Sequence, residues 1–502
     1  MPAPSPTENV VPPVPEGAGP DLAAAWPAMC PPVRERYAAA GAGSRARELA
    51  LRWLRWQARR HVQRPGNGAT TAGAANRGSV IPAQPRILAI QPDHLGGMLL
   101  TTPALRLLKL AWPDSEITVL AGPWAADVPA HCPAVSRVRV TRFPGFERAA
   151  PPGGLLGGLR AKVTPYTFLY DTAAALADEG FHLAITFHAD YWQGAVVSAL
   201  SRIPHRLGYA VPEAVPFLSL GLPRPRLPIG ATGRDLPRPH MAELGLALAR
   251  QAITLAGLAV PAGFDGRMLY EPSAAERAEA WRLWQANELH QTPAVVAVHP
   301  APGAAAKRWP PQRFALLGDH LAGRYGARIV LTGGPADVEE GRAIAAASWQ
   351  RPVVLAGQTS FGTLAALLER CRFAVGTDNG AMHLATARGV PTLRLFGPVD
   401  APSWRGWTGY DLPAAADGPQ ATLATQGDPG GQGAQGMRQG MRQASPPALV
   451  VTSTIPCAPC HRLDLPAWSE VGGGEAYPCM QDISVERVVA AAEELWKLTA
   501  GR

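Results

Sequence analysis

A loop of small residues that follows a predicted strand contains a lysine suited to binding a phosphate. The residues at 300–306 are mostly Ala, Gly and Pro, so the backbone could approach an anion closely, and Lys307 follows them. Lys307 is one of only four lysines among 47 basic residues, the other 43 being arginine. Its presence in so arginine-rich a chain indicates a specific need for an ammonium group. The alternative is that this lysine has been kept by chance.

Two glycine-containing turns lead from a predicted strand directly into a helix. The first contains Gly96 and Gly97, and the second runs from Asp378 through Asn379 to Gly380. In such turns the backbone N–H groups of the helix N-terminus point outwards and favour an anion. Glycines alone are a weak indication, because many sheets use them only for backbone geometry.

A third turn carries acidic residues that could bind a ribose. The predicted strand 327–331 is followed by Gly333 and Gly334, and Asp337 and Glu339 stand at the start of the next helix. A carboxylate in this position can accept hydrogen bonds from both hydroxyls of a ribose. The alternative needs no ligand, because an acid at a helix N-terminus interacts favourably with the helix dipole.

The elements that must position these residues alternate between strand and helix. Alternation of this kind is typical of parallel sheets with helices on both faces, and their ligands lie beyond the carboxyl ends of the strands. We therefore predict an α/β protein with two doubly wound, Rossmann-like domains that face a cleft. The predicted strands are 86–90, 116–120, 182–187, 294–298, 327–331, 353–355, 373–375 and 392–395. The predicted helices are 98–111, 274–286, 312–325, 338–348, 363–370, 381–388 and 484–498.

Low-complexity segments lie outside the two predicted domains. The Gly/Gln-rich stretch and the Pro/Ala-rich start of the chain have little apolar periodicity, which predicts disorder there. The predicted organisation is a disordered 1–33, a basic amphipathic helix 34–64, a linker 65–84, an N-terminal domain 85–261, a connection 262–292, a C-terminal domain 293–413, a disordered insertion 414–446, and a cysteine-containing tail with a closing helix 447–502.

The positive charge of the chain is concentrated in one predicted helix. The 502 residues carry a net charge of +8, and residues 45–64 contain seven arginines against one acid, Glu48. Trp53 and Trp56 recur on the same segment, which is typical of a helix on an anionic membrane surface. The alternative is a solvated helix packed on the body of the protein. No nucleic-acid motif accompanies the charge, so we expect no nucleic-acid partner.

The termini and apolar runs indicate where the protein resides. No run approaches the roughly 18 consecutive apolar residues of a spanning helix, and residues 1–20 are Pro-rich and acidic, unlike a secretory signal. We therefore expect a cytoplasmic protein, with peripheral contact at the inner face of the membrane through the basic helix.

The C-terminal cysteines form a separate candidate site. Cys457, Cys460 and Cys479, with His461, could supply four ligands to a structural zinc ion. Because His461 directly follows Cys460, tetrahedral geometry would be strained. A disulfide or a plain structural loop is the alternative.

Together, the turns resemble the signatures of glycosyltransferase family 9, the ADP-heptose:lipopolysaccharide heptosyltransferases. The matching strings are Gln91-Pro-Asp-His-Leu-Gly-Gly-Met-Leu-Leu-Thr-Thr-Pro-Ala-Leu105, the Lys307-Arg-Trp-Pro310 segment, Gly376-Thr-Asp-Asn-Gly-Ala-Met-His-Leu-Ala-Thr-Ala-Arg-Gly-Val-Pro391 and Leu395-Phe-Gly-Pro398. They span about 85–407 and occur in the order of the family. The resemblance implies the GT-B fold, with the nucleotide sugar on the C-terminal domain and the acceptor on the N-terminal one.

The resemblance also implies roles for individual residues. Lys307 would contact the phosphates of a nucleotide sugar, most simply an ADP-sugar, and Trp309 would shape the pocket unless it only packs. Asp337, or Glu339, would hold the ribose. The remaining implied binding residues are Gly96, Gly97, Asp378, Asn379, Gly380, Met382 and His383, with a buried structural contact as the alternative for His383. No cofactor or metal is required, because lysine and helix N-termini replace it.

One departure from the family pattern concerns the catalytic base. The family has Gly-Asp where this chain has Gly96-Gly97, and that aspartate is its proposed general base in an inverting displacement. Asp93 and His94, on the same loop, are the candidate replacements. The leading hypothesis is an inverting transferase acting on a glycan or lipid-linked acceptor in cell-envelope biosynthesis. The alternative is a catalytically impaired protein that binds nucleotide sugars or glycans.

Overall fold

The computed structural model describes the two predicted domains and parts of the tail. The described residues are 52–53, 80–147, 167–224, 239–409, 422–423, 446–455, 458–461, 463 and 476–501. The predicted disordered segment 1–33, nearly all of the basic helix 34–64 and most of the insertion 414–446 lie outside these residues.

The N-terminal domain is a six-stranded parallel sheet covered by helices on both faces. Its strand order is β3-β2-β1-β4-β5-β6. Central strands such as β1 are apolar and almost entirely buried, because helices cover both faces of a parallel sheet. The elements are β1 (Arg86–Gln91), α1 (Leu95–Ala111), β2 (Glu116–Ala121), α2 (Asp127–Ala130), β3 (Arg137–Val140), β4 (Leu183–Thr186), α3 (Trp192–Leu200), β5 (His205–Tyr209), β6 (Leu220–Leu222) and α4 (Met241–Leu255).

The C-terminal domain repeats the same winding. Its sheet has the order β12-β13-β11-β10-β7-β8-β9, with only β12 antiparallel to its neighbour. The elements are α5 (Ala274–Ala286), β7 (Val295–His299), α6 (Pro311–Tyr325), β8 (Arg328–Leu331), α7 (Val338–Ala347), β9 (Val353–Val354), α8 (Phe361–Leu368), β10 (Phe373–Thr377), α9 (Gly380–Ala387), β11 (Thr392–Phe396), α10 (Ala401–Trp404), β12 (Thr422–Leu423), β13 (Ala448–Thr452), α11 (Pro478–Gln481) and α12 (Val485–Leu498).

Both sheets therefore change direction beside their first strand. In the N-terminal sheet β1 lies between β2 and β4, and in the C-terminal sheet β7 lies between β8 and β10. Loops after the two strands that flank such a switch point diverge to opposite faces of the sheet and leave a crevice at their carboxyl ends. The predicted α/β, doubly wound class is confirmed, and the crevice is where the sequence motifs converge.

Some elements were not predicted because their sequences lack a strong apolar pattern. β3 reads Arg-Val-Arg-Val and is mostly exposed at the sheet edge, so it gives no buried run.

The helix α1 begins at Leu95, three residues before the predicted start, because the turn through Gly96 and Gly97 is already helical. The helix α5 has its predicted bounds, fixed by a capping box between Ser273 and Glu276.

The C-terminal tail completes the second sheet. β13 pairs in parallel with β11, and α12 packs on α6 and β13, so residues beyond 413 share the C-terminal core. Family resemblance leads one to expect a closing helix that crosses to the N-terminal domain. The contacts of α12 lie instead on the C-terminal domain, where its apolar face covers the sheet. Ser484 caps its first turn, so α12 begins one residue after the predicted start.

A continuous apolar core joins the two domains. One buried cluster runs from α1 and α4 through Tyr270 and Trp284 to α8 and α9. Polar contacts reinforce it: His131 Nε2 lies 3.0 Å from Glu276 Oε2, and Tyr270 donates to Asp127 Oδ2 at 2.6 Å. The cleft is therefore bounded by domains that are packed together at its base.

The described residues bear on two expectations about membranes. Among them, no helix combines the length and the apolar character needed to cross a bilayer. Within the predicted basic helix only Arg52 and Trp53 are described, and the Trp53 ring lies 5.5 Å from that of Tyr170 while remaining half exposed.

Candidate active site

A buried ion pair lies at the switch point of the C-terminal sheet. Lys307 follows β7 and Asp378 follows β10. These two strands are hydrogen-bonded neighbours, so the loops that follow them meet at one edge of the sheet. Lys307 Nζ lies 2.5 Å from Asp378 Oδ2 and also donates to the Asp378 carbonyl at 3.3 Å. Burial would raise the pKa of the Asp378 carboxyl, but the Lys307 ammonium holds that pKa well below its usual range. The carboxylate is therefore ionised at neutral pH.

His383 stands beside this pair as a neutral imidazole. Its Nε2 lies 3.5 Å from Asp378 Oδ1, and that oxygen accepts no hydrogen bond from the described residues. Burial, and then the nearby Arg394 guanidinium, lower the pKa of His383 to about 4. Arg394 donates to His383 Nδ1 at 3.4 Å, which leaves the imidazole proton on Nε2, facing Asp378.

Arg394 is a buried cation that sequence reasoning did not identify. It lies on β11 with its side chain 1% exposed, and it donates to the Met382 carbonyl and, at 2.6 Å, to Thr386 Oγ1. These contacts fix the second turn of α9 against the sheet. The available signal was an arginine inside the apolar strand Thr392-Leu-Arg-Leu-Phe396, which is buried on both faces. A charge in such a strand is costly unless it is paired or hydrogen-bonded.

The cluster carries an excess of positive charge. Lys307 and Arg394 contribute two cations, Asp378 one anion, and His383 none, which leaves a net charge of +1. Buried charge is stable only when it is paired or neutralised, so this arrangement favours an additional anion at the cleft.

Asn379 and Met382 build the turn on which the cluster depends. The Asn379 side chain accepts from Met382 N at 3.1 Å and so caps α9, and it donates to the Ala301 carbonyl at 3.1 Å. Met382 is 1% exposed beneath the turn. The amide of Asn379 thus ties the loop after β7 to the loop after β10.

The first glycine turn meets this site from the other domain. A Cβ on Gly96 would lie 3.1 Å from His383 Cδ2, and one on Gly380 would lie 2.9 Å from Leu95 Cβ. The N-termini of α1 and α9 therefore abut across the cleft, and glycine at both positions permits the approach. Seven of the predicted residues, Gly96, Lys307, Asp378, Asn379, Gly380, Met382 and His383, are brought together here.

Two other predicted residues lie on neighbouring elements. Asp337 Oδ2 accepts from Gly334 N at 2.7 Å, which closes the turn after β8, whereas the side chain of Glu339 is 83% exposed and pairs with Arg342. Arg308, next to Lys307, binds Glu340 Oε1 at 2.8 Å. The turn that contains Asp337 thus borders the lysine loop on the β8 side.

Trp309 points away from the cleft. It is 0% exposed, donates to the Ile483 carbonyl at 2.8 Å and packs edge-on against Phe314 with ring centroids 4.7 Å apart. In this structure it performs the packing role that was the alternative for it.

The structure describes only some of the candidate metal ligands near the C-terminus. Cys457 lies outside the described residues, and His461 Nε2 lies 3.2 Å from Asp400 Oδ1. Among the described residues, only Asp127, His131 and Glu276 are grouped closely enough to hold an ion. Their ligand atoms already bond to Tyr270, to one another and to the cap of α5, so the group has a structural explanation.

His240 gives the contact between the domains a dependence on pH. It accepts from Ala242 N at 3.1 Å, bonds the Arg405 carbonyl through Nε2 at 2.9 Å and stacks on Trp407. Burial lowers the pKa of His240 to about 3. Its contribution to stability is therefore complete above pH 6.5, and it is lost as the pH falls below 6.5, because only the unfolded chain then takes up the proton.

We expect the chain to lose stability on acidification, with His240 contributing about 1.4 kcal/mol per pH unit between pH 6.5 and its folded pKa. Denaturant unfolding at pH 6.5 and pH 5 measures this loss, and the His240→Gln variant should lose less between the two. An equally large loss in the variant would exclude His240 as a source.

Comparison with known proteins places this arrangement in context. The family model described as glycosyltransferase family 9 (heptosyltransferase) matches residues 171–414. Lipopolysaccharide heptosyltransferase 2 of Escherichia coli K12 is 27% identical over 329 residues, which cover 62% of this chain and 83% of the relative. Lipooligosaccharide heptosyltransferase 2 of Haemophilus influenzae is 25% identical over 319 residues, with the same coverage.

Solved structures share the fold along nearly their whole length. The glycosyl transferase family 9 structure from Veillonella parvula superposes with a TM-score of 0.57 at 21% identity, covering 84% of this chain and 99% of the other. The E. coli ADP-heptose lps heptosyltransferase II superposes with a TM-score of 0.54 at 20% identity, covering 83% and 100%. The predicted GT-B fold is confirmed.

Proposed function

We propose that the chain is a member of glycosyltransferase family 9 and that it transfers a heptose-like sugar from a nucleoside-diphosphate donor to a glycan or lipid-linked acceptor, with inversion. The names of its relatives support this reaction: they are lipopolysaccharide and lipooligosaccharide heptosyltransferases, and the name of one related structure includes ADP-heptose. We therefore propose an ADP-sugar as the donor.

The observation that carries the proposal is the buried cluster at the switch point, with its net charge of +1. A diphosphate would supply the missing negative charge. As the sugar leaves it, the diphosphate gains further negative charge, and fixed cations in a water-poor site stabilise that charge best. Lys307 and Arg394, with the two helix N-termini, could do this without a metal ion or other cofactor.

The nucleoside is proposed to lie on the β8 side of the cluster. Asp337 uses Oδ2 to close its own turn, which leaves Oδ1 for a ribose hydroxyl. His299, at the end of β7, bonds Thr332 at 2.9 Å, and burial lowers its pKa to about 4. A neutral imidazole and small residues beside it suit an uncharged nucleoside.

The acceptor is proposed to enter from the N-terminal domain. The loops after β1 and β4 border the switch point of that sheet and face the donor cluster. We propose that the protein acts in the cytoplasm, at the inner face of the membrane. A lipid-linked acceptor would be reached there, and the basic segment 34–64 could contact anionic lipids.

A donor screen tests the proposed function. The full-length chain is incubated with ADP-, UDP- and GDP-linked sugars and with lipid-linked and soluble glycan acceptors. Release of nucleoside diphosphate and mass of the acceptor are measured. We expect release from ADP-linked sugars, with the matching mass added to an acceptor. If no donor is bound or consumed, the proposed function is wrong.

A second candidate function is binding without turnover, and Gly97 is the observation that favours it. The residue stands where the family has its proposed base, and glycine has no side chain to take a proton. Calorimetry separates the two: a binding protein would hold ADP-sugar with measurable affinity while releasing no nucleotide in the presence of any acceptor.

A further inference from the structure

We propose that Asp93 is the base that removes the proton from the acceptor hydroxyl, and that Gly97 is the residue that makes room for it. The inference rests on the proposed transferase function. It concerns a loop at the rim of the N-terminal domain, between β1 and α1, opposite the Lys307–Asp378 cluster.

The space beside Gly97 is occupied by the carboxylate of Asp93. A Cβ built on Gly97 would lie 2.8 Å from Asp93 Cβ and would overlap Asp93 Cγ and Oδ2. Asp93 precedes the N-cap residue His94, and its side chain folds back over the first turn of α1 beside Gly97. In this chain the Asp93 carboxylate therefore occupies the volume that any side chain at position 97 would enter.

The geometry leaves one oxygen of Asp93 open for a proton. Oδ1 accepts from His94 N at 2.8 Å, which fixes the orientation of the carboxylate. Oδ2, the oxygen nearest the Gly97 position, accepts no hydrogen bond from any described residue, and Asp93 is only partly buried. A carboxylate held through one oxygen, with the other accessible, suits a general base.

The surroundings place the loop against the donor site. Leu95 meets Gly380, and Gly96 meets His383, within the two turns that abut across the cleft. Trp124 Nε1 donates to the Pro92 and Asp93 carbonyls at 3.2 and 3.1 Å and so fixes the loop backbone. Asp93 is therefore held at the boundary between the acceptor side and the buried cations.

His94, the other candidate on this loop, is placed differently. Its ring lies 5.5 Å from that of Trp124, tilted by 50°, and its side chain does not cap α1. The three atoms nearest to a Cβ at Gly97, where the loop departs from the family pattern, all belong to Asp93. The geometry thus favours Asp93.

The chemical step balances with these groups. The acceptor hydroxyl gives its proton to Asp93 Oδ2 as its oxygen bonds to the anomeric carbon of the donor. The bond from that carbon to the phosphate oxygen breaks, and its electron pair leaves with the nucleoside diphosphate, whose charge is held by Lys307 and Arg394. Asp93 then releases the proton to solvent.

Two single substitutions test Asp93 from opposite directions. Asp93→Asn removes the base, and Gly97→Ala displaces the carboxylate without adding or removing charge. We expect each to lower kcat by about 100-fold or more while the Kd for ADP stays within about twofold of the wild-type value. The acidic limb of the pH–kcat/KM profile should disappear in Asp93→Asn. Gly245→Ala, a glycine in α4 whose added methyl makes only ordinary contacts at 3.5 and 3.6 Å, is the matched control and should behave as wild type.

A double variant moves the carboxylate from position 93 to position 97. The double variant Asp93→Gly/Gly97→Asp should recover at least about tenfold of the kcat lost in Asp93→Asn, because the acid re-enters the same space. Wild-type turnover in Asp93→Asn, with its acidic limb intact, would overturn the assignment and leave the transferase function standing. A wild-type chain that binds ADP-sugar but never turns over would overturn the base and the transferase function together.

Discussion

The Lys307→Met variant is expected to lose about 100-fold or more in transferase activity and to bind ADP measurably more weakly. Lys307 is the cation paired with Asp378 at 2.5 Å, and its removal changes the net charge of the cluster from +1 to 0. The substitution also leaves a buried carboxylate without its partner, which typically costs about 3–5 kcal/mol of stability. Activity, ADP affinity by calorimetry and unfolding by denaturant are the three measurements.

A double variant separates stability from function. In Lys307→Met/Asp378→Asn neither side chain is charged, so the unfolding midpoint should recover most of the loss, because the buried charge is gone. Its activity should remain low, since the diphosphate still lacks the ammonium. The matched control is Lys497→Met, a lysine with a 70% exposed side chain on α12. Unchanged activity and ADP affinity in Lys307→Met would remove the basis for assigning the cluster to the donor.

Replacing Arg394 by methionine is expected to weaken donor binding by about tenfold or more and to raise the pKa of His383. The guanidinium donates to His383 Nδ1 and holds two groups of α9, and burial lowers its own pKa to about 10, so it remains a cation at neutral pH. Burial is the first cause of the low His383 pKa, and Arg394 is the second, so the variant should move that pKa upward from about 4. An NMR titration of the imidazole, together with ADP calorimetry, measures both effects.

Arg206→Met is the control for that substitution. Arg206 is also buried, at 8% exposure, and also donates to backbone carbonyls, those of Phe217 and Ile203, but it lies in the N-terminal domain. It should destabilise the chain and leave both the His383 titration and the ADP affinity unchanged. If the two variants affect donor binding equally, the effect of Arg394 is only structural.

The charge cluster and the Asp93 loop divide the proposed reaction between the two domains. In this proposal the C-terminal sheet supplies fixed cations for the leaving diphosphate, and the N-terminal loop supplies the base. The continuous core at the base of the cleft holds these groups in one arrangement. Catalysis of this kind depends on positioning more than on any single strong group.

The sequence by itself determined the α/β class and identified the loops that we propose to carry the chemistry. Strand, turn and helix are encoded locally, by apolar periodicity and by glycines at strand ends, so Lys307 and the Asp378 turn could be identified without a structure. The capped helix Ala274–Ala286 was predictable to the residue for the same reason, since its capping box is local.

Only the tertiary structure decided which of these residues lie together. Arg394 enters the cluster because β11 lies beside β10, and Trp309 leaves it because Ile483, far along the chain, accepts its hydrogen bond. The contact of Gly96 with His383 joins two domains, and the loop that places Asp93 beside Gly97 is held by hydrogen bonds from Trp124, which lies farther along the chain. Such relations depend on packing between distant segments, and no local pattern of residues encodes them.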